Sequence, residues 1–249
     1  MYTEMKDREI FSRLTTTVPF IIRLDGRAFH TCSAEYKKPF DADFSELFVK
    51  TAKALFTDSG LSPDFIYTFS DEISLYITKP VFDLRVEKLV SVAAAFASSA
   101  FTIAADAKTP LSFDARIIPL SEQQLPDYLA WRQAEAWRNH INGYCQKLLT
   151  DTGLSSSAAQ KKLNGLDAGH LHELAFSNGI NLAKTPCWQR RGIAVYHGTT
   201  EKTGFNPLTG KKVTVSRNIA EVDKDLPLFK TPEGREWVYA KVTSIPTNI

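Results

Sequence analysis

The stretch 65–77 constrains the fold more than any other part of the chain. Two β-rich apolar runs flank Asp71 and Glu72, which predicts a β-hairpin with two carboxylates at its tip. Upstream, the apolar run 19–24 ends in Asp25, which predicts a strand that also ends in an acid. If the strands lie side by side, Asp25 and Asp71 converge at one end of a sheet. Their mutual repulsion would favour a cation between them, most simply Mg²⁺. As an alternative, both are ordinary turn residues.

The first half of the chain predicts six elements in a β-α-β-β-α-β order. A strand covers roughly 18–25, and Asp41 caps a helix with apolar residues at three- and four-residue spacing. After the hairpin come a helix over about 83–105 and a strand over 113–119. This order is that of the split, ferredoxin-like arrangement. We therefore expect an α+β fold, an antiparallel sheet with helices on one face.

The second half changes character. We predict a long helix over 126–149, two shorter helices capped near Ser155 and Asp167, and a β-hairpin that joins 193–196 to 211–216. The predicted organisation is a catalytic core over 1–120 and a helical and β-hairpin appendage over 121–249.

Composition excludes several classes of protein. The 249 residues are 43% hydrophobic and 23% charged, as in an ordinary globular protein. We expect no membrane-spanning segment and no signal peptide, and hence a cytoplasmic protein without a membrane partner. The three cysteines are far apart and predict neither zinc nor disulfides. The motifs of P-loop, dinucleotide-binding and nucleophile-elbow enzymes are absent.

Specific motifs then point to one family. The chain carries Ile22-Arg23-Leu24-Asp25-Gly26-Arg27-Ala28-Phe29-His30, Lys38-Pro39, Phe69-Ser70-Asp71-Glu72, Phe113-Asp114-Ala115-Arg116, Asp127-Tyr128-Leu129-Ala130-Trp131-Arg132, Lys161-Lys162-Leu163 and Asn178-Gly179-Ile180-Asn181. In this order the motifs resemble the tRNA(His) guanylyltransferase family, whose core is like the palm of DNA polymerases and which adds nucleotides to the 5′ end of RNA. The resemblance changes the interpretation of the carboxylates from turn residues to metal ligands.

The resemblance implies roles for individual residues. Asp25, the Gly26 carbonyl and Asp71 would bind two Mg²⁺ ions, and Glu72 would be a further essential acid. Backbone amides of Arg27, Ala28 and Phe29 would cradle a triphosphate. Nucleotide contacts are further implied for His30, Lys38, Asp41 and Ser70, and contacts with a triphosphate or the RNA 5′ end are implied for Arg85 and Lys88. As alternatives, Asp41 only caps its helix and Ser70 only shapes the turn.

The chain departs from the family pattern at two positions. Phe40 stands where the pattern has Asn, which leaves the choice of ATP or GTP as the activating nucleotide open. Trp137 stands where the enzymes that add guanosine to tRNA(His) have a signature histidine, and His140 lies three places further on. The segment 137–139 instead resembles the guanylyltransferase-like proteins of archaea and bacteria, which are similar in core and repair truncated tRNAs.

The expected function is therefore template-dependent 3′–5′ addition of nucleoside triphosphates to tRNA with an incomplete 5′ end, by a homotetramer. The resemblance implies that the appendage over 121–249 serves RNA binding and oligomerisation. Expected phosphate contacts are Arg132, Arg138, Lys161, Lys162, Arg190 and Arg191. The alternatives are anticodon-dependent guanosine addition to tRNA(His), a palm-type nucleotidyl cyclase and a non-catalytic RNA-binding module.

Overall fold

The fold is built on one antiparallel sheet. The computed structural model describes residues 5, 7–27, 29–205, 210 and 212–243. Within them, six strands pair in the order β4-β1-β3-β2-β5-β6. They are β1 (Phe20–Arg27), β2 (Phe65–Phe69), β3 (Glu72–Ile77), β4 (Ser112–Pro119), β5 (Ile193–Phe205) and β6 (Lys212–Asp223).

Seven helices of five or more residues accompany the sheet in the described part of the chain. They are α1 (Ala42–Thr57), α2 (Val86–Ala104), α3 (Leu125–Asp151), α4 (Ser156–Leu163), α5 (Ala168–Ser177), α6 (Cys187–Arg191) and α7 (Pro232–Thr243). A single helical turn, Phe29–Cys32, follows β1. The predicted β-α-β-β-α-β order is confirmed, and the strand order β4-β1-β3-β2 is the one in which this split arrangement pairs.

Helices cover both faces of the sheet. Alternate residues of a strand point to opposite faces, so Ile22 packs in a core with Leu55 of α1 and Phe101 of α2. The neighbouring Ile21 packs in a second core with Leu129 of α3 and Val238 of α7. The expectation of helices on one face holds for α1 and α2 but is wrong for the whole sheet, because helices of the second half fill the other face.

The second half of the chain also extends the sheet. β5 pairs with β2, with Val195 opposite Ile66, and Val195 belongs to the same buried core as Ile22. The predicted C-terminal hairpin is confirmed and is longer than expected, although its tip at 206–209 lies outside the described residues. A third buried cluster, including Cys145, joins α3 to α4 and α5.

Helix α2 has the length and composition of a membrane-spanning helix, contrary to the expectation that no segment does. Its mean hydropathy reaches 1.4 over an 18-residue window. In the fold, however, Leu89, Ala93, Ala97 and Phe101 along one face pack against the sheet. A helix that packs in this way serves as a core helix of the α/β domain.

Candidate active site

The register of the sheet brings the acidic residues to one end. Asp25 of β1 lies opposite Glu72 of β3. The Gly26 amide donates a hydrogen bond of 3.0 Å to the Asp71 carbonyl, which fixes the hairpin tip against the end of β1. Ser70 forms the tip with φ of 50°, and its hydroxyl donates to the Asp71 carboxylate at 3.1 Å. Asp25, Gly26 and Asp71 are thus neighbours through backbone pairing.

Electrostatics make this end of the sheet suitable for a cation. Burial raises the pKa of Asp71, and the nearby Asp25 charge raises it further. Burial also raises the pKa of Glu72, against the opposing effect of Arg132. Oxygen ligands of this kind suit Mg²⁺, which is commonly held by one or two carboxylates together with substrate phosphates. Asp25, Asp71 and the Gly26 carbonyl therefore fit the metal, although no group of three or more His, Cys, Asp or Glu side chains that could bind a metal occurs among the described residues.

Glu72 is engaged by a buried arginine. Arg132 of α3 donates from Nε and Nη2 to the two carboxylate oxygens, at 2.8 and 2.6 Å. Both side chains are more than 90% buried, and the guanidinium also lies over the rings of Phe69 and Trp131. The prediction that Arg132 contacts RNA phosphate is wrong for this structure, because its guanidinium neutralises a carboxylate in the interior. A buried arginine requires an acidic partner. Burial of Arg132 therefore implies a nearby carboxylate, but the sequence alone does not identify Glu72 as that partner.

Gly26 is required by close packing. The buried Phe29 ring packs with Phe48, Phe101 and Phe113. A Cβ on Gly26 would lie 2.5 Å from that ring. The side chain of Phe29 is therefore part of the core, and only its backbone remains for the predicted phosphate cradle. Ala28 lies outside the described residues, as does the side chain of His30.

A pocket of about 210 Å³ adjoins the hairpin tip. It lies between the N-terminal end of α1, the tip residue Ser70, the helix α3 and the short helix α6. Lys38 lines the pocket, and its ammonium group donates to the Ser33 hydroxyl at 2.9 Å. Aromatic rings provide flat apolar walls, and Asn139 and Gln189 add amides. This combination suits a base and its attached phosphates. The pocket is called the nucleotide pocket below.

Asp41 precedes the first residue of α1 and acts as its N-cap. One carboxylate oxygen accepts from the amides of Asp43 and Phe44, and the other accepts from the Lys37 amide at 3.0 Å. These backbone hydrogen bonds lower the pKa of Asp41. The capping interpretation explains the bonds from Asp43 and Phe44, whereas the Lys37 amide precedes the helix, and Asp41 also lines the nucleotide pocket.

The two residues that depart from the family pattern, Phe40 and Trp137, both pack against His140. His140 is fully buried, with the Phe40 ring stacked at 5.6 Å and the Trp137 ring at 5.1 Å. Its Nε2 hydrogen bonds to the Thr185 hydroxyl, and burial lowers its pKa to about 4. His140 is therefore an uncharged interior residue and does not reach RNA. Phe40, His140 and Trp137 form one column, the aromatic column, and only its Phe40 end lines the nucleotide pocket.

Arg85 and Lys88 lie at the opposite end of the sheet. Arg85 immediately precedes α2 and bridges to Thr15, just before β1 begins. At that end of the sheet Phe20 pairs with Ile77, whereas Asp25 pairs with Glu72 at the other end. Five strand residues separate the two ends by about 17 Å. Arg85 and Lys88 therefore lie away from the carboxylates of the same chain, because α2 begins at the far end and runs back. Their contact with a triphosphate or with the RNA 5′ end stays a prediction.

The remaining predicted RNA contacts are spread over the second half. Lys161 and Lys162 are exposed in the last turn of α4. Arg138 is exposed and pairs with Glu135 on the same helix. Arg190 and Arg191 are half-buried at the end of α6 and border a second cavity. The structure therefore places these cations in three separate groups.

Comparison with known proteins gives the family. The family profile described as tRNAHis guanylyltransferase matches residues 2–121, and the profile of the Thg1 C-terminal domain matches residues 123–227. A probable tRNA(His) guanylyltransferase of Drosophila melanogaster is 32% identical over 76% of this chain and 70% of its own length. The corresponding Dictyostelium discoideum protein is 28% identical over 88% of this chain and 90% of its own length.

Solved structures agree with this result. A bacterial tRNA(His) guanylyltransferase-like protein in complex with ATP matches with a TM-score of 0.72 and 28% identity, over 97% of this chain and 98% of that one. The same kind of protein in complex with GTP gives a TM-score of 0.70 and 27% identity over the same shares.

The relatives and the acidic sheet end define a class: the chain is a nucleotidyltransferase of tRNA processing. More particularly, it belongs to the tRNA(His) guanylyltransferase family, which confirms the family predicted from its motifs.

Proposed function

We propose that the protein adds nucleotides to the 5′ end of truncated tRNA in the 3′–5′ direction, choosing each one by pairing with the opposite strand. The observation that carries this proposal is the convergence of Asp25, Gly26 and Asp71 beside a nucleotide pocket. The three groups are hard oxygen ligands at a site where burial and mutual repulsion already disfavour the uncompensated charge.

In this proposal the chain's own residues hold and orient the reactants. Asp25, Asp71 and the Gly26 carbonyl would hold two Mg²⁺ ions, which supply Lewis acidity to an attacking 3′-hydroxyl and to the leaving pyrophosphate. Lys38, beside the nucleotide pocket, would offset the charge of a bound triphosphate. The backbone after β1 would provide amide donors to the phosphates. Glu72, which is neutralised by Arg132, would keep the hairpin tip in place rather than bind a metal.

The nucleotide pocket would serve the activation step. A 5′-monophosphate would first attack the α-phosphate of ATP or GTP and release pyrophosphate, and the 3′-hydroxyl of the incoming nucleotide would then displace AMP or GMP. A 5′-triphosphate would react directly with that hydroxyl and release pyrophosphate. The bacterial relative's complexes with ATP and with GTP support both nucleotides as candidates. Phe40 presents a ring rather than a polar edge to this pocket, which agrees with a site that accepts either base.

The presence of Trp137 favours template-directed selection over reading of the anticodon. The position of the signature histidine carries a tryptophan that packs on His140, and His140 itself is buried. The second candidate, guanosine addition to tRNA(His), is favoured by the names of the curated relatives. A homotetramer remains part of the proposal.

The test is addition of labelled nucleotides to a tRNA that lacks its first 5′ residue. Each of the four bases is placed in turn opposite the vacant position, and intact tRNA(His) and an anticodon-swapped variant are run in parallel. We expect the added nucleotide to follow the opposing base and to be independent of the anticodon. Addition of guanosine alone, and only to tRNA with the histidine anticodon, would replace the proposal with the second candidate.

A further inference from the structure

A second cavity, of about 310 Å³, borders α3 on a different side from the nucleotide pocket. Ala130, Gln133, Ala134 and Trp137 recur at three- and four-residue spacing and therefore form one face of the helix. Ala136 and Asn139 face the nucleotide pocket from the same two turns. Because an α-helix is about 10–12 Å across with its side chains, the two cavities lie about one helix diameter apart.

The lining of the second cavity combines apolar surface with cations. Trp137, three alanines and Leu228 supply the apolar part, and Arg190, Arg191 and Lys230 supply positive charge. No carboxylate lines it among the residues that the structure describes. Such a lining is complementary to a ligand that has a flat apolar portion and an anionic portion next to it.

Hydrogen bonds fix the two arginines beside the cavity. Arg190 donates from Nε to the Thr185 carbonyl at 2.9 Å, and Arg191 donates from Nη1 to the Leu226 carbonyl at 2.7 Å. Each of these bonds uses one of the five N–H donors of a guanidinium. The Arg191 carbonyl in turn accepts from the Tyr67 hydroxyl at 2.8 Å. The site is therefore built in advance of any ligand, which lowers the entropic cost of binding.

The end of α6 depends on a glycine for this arrangement. Gly192 has φ of 79°, in the left-handed region, and a Cβ there would lie 2.6 Å from the Tyr67 ring. The glycine thus lets Arg191 approach the sheet closely enough for its carbonyl to accept from Tyr67.

We propose that the second cavity binds an unpaired nucleotide of the RNA's 3′ strand. The base would lie against the alanines and the part of Trp137 that lines the cavity beyond its contacts with His140 and His172, and the adjacent phosphate would be bound by Arg190 and Lys230. Aromatic contact together with nearby cations is the usual way in which proteins hold single-stranded nucleic acid.

The position of the cavity selects this part of the RNA. The inference rests on the proposed function, in which the 5′ end being extended is paired with the 3′ strand. The unpaired continuation of that strand then begins a short distance from the nucleotide pocket, and the second cavity lies one helix diameter away. An anticodon loop lies at the other end of the tRNA and is not brought there by an acceptor end bound at Asp25 and Asp71.

The experiment compares two RNAs on the full-length protein by fluorescence anisotropy. One is a truncated acceptor-stem hairpin with its natural unpaired 3′ extension, and the other is the same hairpin with a blunt end. The variants are Ala134→Glu, which puts a carboxylate into the cavity from an exposed helix position, and Ala134→Gln, its uncharged match. Lys230→Ala tests the phosphate contact, and Lys53→Ala, at an exposed position of α1, is its control.

We expect the wild type to bind the extended RNA about tenfold more tightly than the blunt RNA. Ala134→Glu should lose this preference while binding blunt RNA unchanged, and Ala134→Gln should keep most of it. Lys230→Ala should lower the salt dependence of binding to the extended RNA by about one ion, unlike Lys53→Ala.

Three results would overturn the inference. One is an Ala134→Glu variant that keeps the preference, and another is a wild type that extends the RNA with the 3′ extension but binds both RNAs equally, in which case the proposed function stands. The third is an Ala134→Glu variant whose molecular mass in solution changes while its preference for the extended RNA does not. That result would make the cavity an interface between copies of the chain. If the wild type neither binds nor extends either RNA, the proposed function itself fails.

Discussion

At the scale of single residues, the partner of a motif residue defines what that residue can do. Glu72 lies in the acidic motif next to Asp71, yet both of its oxygens accept from Arg132 in the interior. A buried carboxylate and a buried guanidinium depend on each other, since either one alone would be an uncompensated charge. The pair also joins β3 to α3, and so connects the hairpin tip to the second half of the chain.

Replacement of Arg132 should therefore lower the stability of the fold. We expect Arg132→Met to lower the free energy of unfolding by about 3–5 kcal/mol, because Glu72 is left buried and unpaired. The double variant Glu72→Gln with Arg132→Met should recover a large part of this loss. Urea unfolding of the wild type and the two variants measures both values. Equal stability of the single and double variants would contradict a direct pairing.

His140 should make stability depend on pH. Burial lowers its folded pKa to about 4 from an ordinary value of 6.5, with the charges of Arg190 and His172 acting in the same direction. The unfolded chain therefore takes up a proton at a higher pH than the folded chain, so stability is lost as the pH falls from about 6.5 towards 4. The loss attributable to His140 is about 3 kcal/mol at most.

The measurement is the free energy of unfolding at several pH values for wild type, His140→Gln and His170→Gln. His170 is exposed, so its variant controls for histidine replacement as such. We expect a flatter pH dependence only for His140→Gln. An unchanged slope would show that folding does not lower the pKa of His140.

At the scale of secondary-structure elements, local patterns predicted the β-α-β-β-α-β order, and the reason is local chemistry. Apolar spacing and the Asp41 cap mark α1, and two β-rich runs with a polar break mark the β2-β3 hairpin. The position of Arg85 was beyond such patterns, because it depends on which end of the sheet α2 starts from. The Glu72–Arg132 pair was also beyond them, since it joins elements 60 residues apart.

Substitutions of Asp41 distinguish its two interpretations, a helix cap and a nucleotide contact. Asp41→Ala should cost about 0.5–2 kcal/mol of stability, and Asp41→Ser should restore most of it, because a serine hydroxyl also caps a helix. If Asp41 only caps α1, Asp41→Ser should leave the KM for the activating ATP within twofold of wild type. A large rise in that KM, at restored stability, would instead make Asp41 a nucleotide contact.

At the scale of the whole molecule, the predicted core and appendage share one sheet and two of the buried cores. β5 continues the sheet next to β2, and α3 covers the face opposite α1 and α2. Composition cannot indicate such sharing, because the strands that pair are more than 100 residues apart in the chain. The family profiles divide near residue 122, whereas the packing crosses that point.

We therefore expect the two halves to unfold together. All four tryptophans lie in the second half, at 131, 137, 188 and 237, so their fluorescence reports on that half and on its contacts with the first, such as Trp237 on Phe65. Far-ultraviolet circular dichroism reports on both halves. The two urea transitions should coincide, and a fragment of residues 1–121 should not give a cooperative transition. Two separated transitions would show that the halves are independent domains.

The measurement that tests the central claim most directly is single-turnover nucleotide addition to a 5′-triphosphorylated, truncated tRNA by wild type, Asp71→Asn and Asp106→Asn. The triphosphate bypasses activation, and Asp106 is an exposed control in a backbone conformation that asparagine tolerates. We predict that Asp71→Asn loses on the order of 10³-fold in rate. Its unfolding midpoint should be unchanged or higher, because burial and Asp25 disfavour the Asp71 charge in the fold. Asp106→Asn should retain the wild-type rate. A stable, folded Asp71→Asn variant that adds nucleotides at the wild-type rate would contradict the assignment of this end of the sheet as the catalytic centre.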